Sequence, residues 1–194
     1  MTAIHRMAAL APAVLLAGCL SLGGKVPDSL LTLTAETRAP AGQAASGTQA
    51  SALAMTAFEA PAALDVTRVP VQVTDTELAY LKDAVWVERP ADLFRRLIAE
   101  TIRARGGRMV VDGDDPGVLA TDRLQGTLRA FGYDARSGEV VVTFDAVRNG
   151  GGSAVSTRRF EARVGGVEPK VEAVGPALNS AANDVARQVA EWVG

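Results

Sequence analysis

One thiol is available for chemistry in this chain, and its neighbours say what that chemistry is. Cys19 is the only cysteine, and it ends the tetrad Leu16-Ala17-Gly18-Cys19. This tetrad matches the bacterial lipobox. Small residues at Ala17 and Gly18 let the peptide enter a peptidase groove, and the Cys19 thiol is the nucleophile that takes a diacylglyceryl group before cleavage. The new amino terminus at Cys19 then takes a third acyl chain. Each buried methylene contributes about 0.8 kcal/mol, so several chains anchor a protein where one binds weakly. The residues ahead of the tetrad fit a secretory signal: Arg6 is the positive start, and residues 7–17 are an apolar run. That run is shorter than the roughly 20 residues a bilayer core requires. The plainer alternative is a secreted protein with a chance cysteine; position, flanks and apolar run all favour the lipoprotein.

The other residue types exclude more than they offer. His5, the only histidine, lies inside the signal. A Ser-His-Asp triad, a Cys-His pair and a histidine metal site are therefore absent from the mature chain. Lys25, Lys82 and Lys170 are the only lysines, and none stands in a Ser-x-x-Lys motif. Carboxylate-pair chemistry needs two positioned acids, and no such pair stands out. Asp112-Gly113-Asp114-Asp115 invites a calcium reading, but Pro116 follows at once and the twelfth loop position is Arg123, not glutamate; a solvated turn is preferred. Gly150-Gly151-Gly152 has no helix start behind it and reads as a hairpin loop, not a phosphate cradle.

Three side chains are candidate contacts to a partner or to lipid: Tyr80, Trp86 and Arg159. The competing reading for the two aromatics, and for Trp192, is packing between helix and sheet. For Arg159, with Arg158 and Arg163, it is a solvated strand face. Removing Arg6 leaves 19 basic against 22 acidic residues, a net charge of −3, with no basic stripe of the kind nucleic acid requires. A lone cysteine allows no disulfide within the chain, so stability must come from an apolar core.

The elements that would position these residues are legible from periodicity. Residues 19–28 read as a lipidated tether, followed by a short extended run at 29–33. Residues 34–63, rich in Ala, Gly, Ser, Thr and Gln, read as a flexible insert with a helical turn near 52–58. Residues 65–73 alternate apolar and polar as a strand, which Pro70 places at an edge or breaks. Residues 77–81 and 84–87 read as two short strands joined by a turn at Lys82-Asp83. Pro90 opens a helix whose apolar face is Leu93, Phe94, Leu97, Ile98 and Ile102, and Gly106-Gly107 ends it. A short strand at 108–111 follows. Strands at 123–131, 139–148 and 158–164 then form an antiparallel meander with one wet and one dry face. A helix beginning around 174–176 closes the chain, small on its packing face. The expectation is a single α/β (α+β) domain with a mixed, largely antiparallel sheet and two packing helices.

This order of pieces resembles the ABC-type transport auxiliary lipoproteins, which accompany MCE-type lipid transport systems. The pieces that match are the lipobox, the extended Leu30-Leu31-Thr32-Leu33 and the strand core Val69-Pro70-Val71. They continue with Leu78-Ala79-Tyr80-Leu81, then Trp86 and Pro90 heading the first helix, then the three-strand run into Glu191-Trp192-Val193. The first strand departs from the family in lacking its aromatic pair, and the insert at 34–63 is long. The resemblance implies a periplasm-facing lipoprotein, residues 29–194 being the family domain, that oligomerises and helps an MCE-domain protein and an ABC permease and ATPase move phospholipids. It carries no catalytic residues, and implies no enzyme and no cofactor beyond the covalent lipid on Cys19. Leu20, not aspartate, follows Cys19, which by the enteric sorting rule implies the outer membrane. The alternative is a structural or assembly lipoprotein of the outer membrane, pilotin-like or an assembly factor.

Overall fold

The structure, a computed structural model, describes residues 29–112, 120–151 and 154–194. The lipobox residues Leu16, Ala17, Gly18 and Cys19, the tether to residue 28 and most of the turn after Asp112 lie outside these. In chain order the elements are β1 (Leu53–Glu59), β2 (Arg68–Gln72), β3 (Leu78–Val85), α1 (Pro90–Arg105), β4 (Val110–Asp112), β5 (Asp122–Asp134), β6 (Glu139–Asn149), β7 (Val155–Val164) and α2 (Val171–Val193). The seven strands join one mixed sheet on which two helices pack, as the sequence predicts; both helices lie on one face.

The meander β5–β6–β7 is its backbone. Both ladders are antiparallel, and the registers Phe144↔Leu128 and Phe144↔Phe160 put these side chains on one face. The other edge of β5 is shared end to end. β1 pairs with its first half and β2 with Tyr133 and Asp134, both in parallel. β3 then lies outside β2, and β4 outside β1. Gly132 lets β2 come close: a Cβ there would strike the Pro70 carbonyl.

The apolar stripe of α1 and the small face of α2 cover the dry side. Phe144 packs at 4.6 Å from Phe58 and 5.3 Å from Phe94, and Phe131 bridges Phe94 at 6.1 Å to Trp86 at 5.4 Å. All five rings are buried. Buried Ala181, Ala182, Val185 and Ala186 let α2 lie close to the sheet. Pro90 sits in the first turn of α1 and Gly106, at φ 73°, ends it, where a left-handed residue is easiest for glycine.

Several expectations need correction. The helical turn near 52–58 is strand β1, with Leu53, Ala54 and Met55 buried between β4 and β5. Its partners lie more than fifty residues away, so nothing local announces it. Residues 34–39 are equally ordered: they cross the helices as a strap. Thr34 and Glu36 donate their backbone N–H groups to the Asn179 and Asn183 side chains, at 2.8 and 2.9 Å, and Ala39 donates to Glu100 at 2.8 Å. The two short strands at 77–87 are a single β3 with a bulge. Asp83 has φ 58°, and Leu81 and Ala84, an odd and an even position, are both buried. Of the two readings for Pro70, the break holds, at a register shift in β2, while the edge does not, because β2 is an interior strand. Finally, α2 begins a turn early at Val171, where Ala173 and Val174 both donate to the Lys170 carbonyl, and it carries Pro176 inside.

Candidate functional site

Side chains alternate along β5, β6 and β7, so the face away from the helices collects their polar residues. Asp145 stands on that face between two arginines. Arg159 donates from Nε and Nη2 to its two oxygens at 2.6 and 2.8 Å, and Arg129 donates at 2.9 Å. The Arg159 hydrogen bonds, with those of Arg129, hold the Asp145 carboxyl at about 2. Further along, Arg163 donates to Glu161 at 2.8 Å and Glu139 at 3.3 Å, while Thr143 donates to Glu161 at 2.9 Å. Arg163 and Thr143 keep the Glu161 carboxyl below its ordinary value. Past the end of β5, Arg136 embraces Asp134 through Nε and Nη2 at 2.8 and 2.5 Å and reaches Asp75. This holds Asp134 at about 2.

These ladders border a groove of about 380 Å³ on the same face. Its lining includes Arg129, Arg136 and Arg163 together with the apolar Pro61, Leu64 and Pro70. Exposed ion pairs contribute only about 0–1 kcal/mol to stability each. A surface that alternates guanidinium and carboxylate can therefore exchange its internal pairs for those of a partner at little cost in folding. Among the described residues no group of three or more His, Cys, Asp or Glu is placed to hold a metal.

The candidate contacts do not form one site. Arg159 lies on the outer face beside the groove. Tyr80 also points outward from β3, stacked under Arg68 at 4.3 Å with its hydroxyl donating to the Ala63 carbonyl at 3.4 Å. Four strand spacings of about 4.8 Å separate β3 from β7, so the two side chains stand about 19 Å apart or more. Trp86 lies on the opposite face, 1 % exposed against Phe131, and its Nε1 has no hydrogen-bond partner. It is a core residue, not a surface contact. Trp192 packs edge-on against Phe160 at 5.6 Å, and Arg158 lies over the same ring.

One cluster escaped the sequence reading. Asp122, 4 % exposed, accepts hydrogen bonds from both Arg108 and Arg148. Burial pushes its carboxyl up, but the two guanidiniums outweigh this and hold it below the usual range. Arg108 also donates to the Val193 carbonyl at 2.6 Å, so a cation meets the negative end of α2. Its only sequence signal is an aspartate at a strand start, between Thr121 and Arg123.

Among the described residues no helix is long and apolar enough to cross a membrane. A crystal structure of the protein XCC0632 from Xanthomonas campestris overlays with a TM-score of 0.69 at 18% identity, covering 85% of this chain and 94% of that one. A crystal structure described as an uncharacterized protein overlays with a TM-score of 0.65 at 16% identity, covering 74% and 93%. At these identities the likeness is one of fold. No curated protein matches the sequence. The model of one family, ABC-type transport auxiliary lipoprotein component, matches residues 31–190, nearly the whole described domain, and the chain belongs to that family.

Proposed function

We propose that the mature chain, lipidated on Cys19 and facing the periplasm from the outer membrane, is a non-enzymatic accessory of an MCE/ABC-type phospholipid transport system. It acts by docking on the transporter, and on further copies of itself, through the outer sheet face. The observation that carries this reading is the groove with its flanking arginine–carboxylate ladders, in a chain of an auxiliary-component family. Helices and strap cover the other face of the sheet, while the outer face is open to a partner. Its charges are locally paired, so recognition there depends on matched geometry more than on long-range attraction.

Crosslinking in living cells, followed by purification of the tagged lipoprotein and mass spectrometry, tests it. Recovery of an MCE-domain protein or an ABC permease, lost on Arg129→Glu with Arg163→Glu, is the expected result. Recovery of only secretin or outer-membrane assembly proteins would overturn the transport reading.

A further inference from the structure

Most of the exposed large apolar side chains lie along one edge of the sheet. Leu30, Val73, Leu78 and Val87 are 49, 37, 42 and 51 % exposed, whereas Val155, the other one among the described residues, starts β7 at the far side. Val73 and Leu78 flank the β2–β3 hairpin, where Val73 donates to the Glu77 carbonyl at 3.0 Å. Leu30 and Val87 stand at the other end of β3. There the Leu31 N–H donates to the Val85 carbonyl at 2.8 Å and the Val87 N–H donates to the Leu31 carbonyl at 2.9 Å, while Trp86 turns its N–H to Thr67 on the β2 side. The chain arriving from Cys19 thus joins the sheet on the free edge of β3.

We infer that this edge rests on the bilayer surface that holds the lipid anchor, with Leu30, Val73, Leu78 and Val87 entering the headgroup layer. The inference rests on lipidation of Cys19. Nine residues, 20–28, separate Cys19 from Ser29, so Ser29 lies at most about 36 Å from Cys19 even at full extension. The edge that receives the chain is therefore the part of the domain tethered nearest the bilayer. Tyr80 and Arg68, stacked on the same margin, are side chains suited to a headgroup layer, with an apolar body and a polar tip. The competing occupant of a free edge is a strand from another chain. Here the left-handed Asp83 bulge and exposed Lys82 interrupt the middle of β3, devices that prevent strand addition. With β3 down, the sheet stands edge-on to the membrane, and its outer face and groove look sideways to a neighbour.

The test uses the full lipidated protein in phosphatidylethanolamine–phosphatidylglycerol vesicles. Nitroxide labels are placed on Val73→Cys, Leu78→Cys, Val87→Cys and Val155→Cys, Cys19 being blocked by its lipid. On floated vesicles the labels at 73, 78 and 87 should gain collisions with oxygen and lose those with a water-soluble nickel chelate, while the label at 155 stays wet. All four labels equally wet on protein that floats would overturn the edge while leaving the anchor standing. Labels immobilised without oxygen enrichment would overturn it in favour of a protein partner. Protein that fails to float would overturn the anchor reading and the edge together.

Discussion

Replacing Asn183 with alanine should loosen the strap while the sheet stays folded. Asn183 is buried and makes three hydrogen bonds. Its Oδ1 accepts from the Glu36 N–H at 2.9 Å, and its Nδ2 donates to the carbonyls of Thr34 at 2.9 Å and Asn179 at 2.8 Å. With Asn179 it forms a ladder along α2. Four helical residues rise about 6.0 Å and two extended residues about 6.6 Å, so amides at i and i+4 meet a strand at alternate residues. At about 0.5–1.5 kcal/mol net per bond, three bonds are worth roughly 1.5–4.5 kcal/mol. Thr34 and Glu36 are exposed, and water can replace part of what is lost, so the expected cost is about 1.5–2.5 kcal/mol. Amide exchange at Thr34 and Glu36 should then speed up by about ten- to seventyfold. Amides of β5 and β6 should be affected little, because the strap opens without them. Unchanged exchange at Thr34 and Glu36, or protection already absent in the parent protein, would refute the ladder.

Asp122→Asn should destabilise the domain by about 3 kcal/mol in urea titration, since it leaves Arg108 and Arg148 facing one another without the buried carboxylate; a loss under about 1 kcal/mol would show the arginines to be hydrated instead. Asp145 and Asp134 are held at about 2, below their ordinary 3.8. Their contribution is therefore complete above about pH 4 and is lost as pH falls from there toward 2; Asp145→Asn should lower the melting temperature at neutral pH and flatten its dependence on pH in that window. Trp86→Phe should change stability by under about 1 kcal/mol, because lost volume is offset by removing an unpartnered buried N–H, whereas Trp86→Ala should cost about 3–5 kcal/mol. Equal losses for the two would mean the indole nitrogen has a partner.

The standing-sheet geometry ties the two surfaces of the molecule to different tasks. The β3 edge would meet lipid, and the arginine–carboxylate face would meet protein. Because both lie on strands of one sheet, docking and anchoring share a rigid body, and a partner engaged at the groove is held at a set height above the membrane.

Much of this could be read along the chain. The lipobox, the lack of histidine after residue 5, the helix between Pro90 and Gly106 and the alternation of 139–164 are short-range patterns, complete within a few residues of one another. What escaped depends on groups brought together from far apart. Strand β1 exists because Leu53 finds Asp122 and Val110, and the strap is ordered because Glu36 meets Asn183. Asp122 tolerates burial only because Arg108 and Arg148 converge on it. Tyr80 and Trp86 look alike in sequence, six residues apart on a stretch of even spacing, yet the bulge at Asp83 turns one outward and buries the other. Periodicity assigns the helices and the meander their secondary structure, but partner choice and the facing of a bulged strand are set by long-range pairing and by which polar groups find partners, and these exist only once the chain has folded.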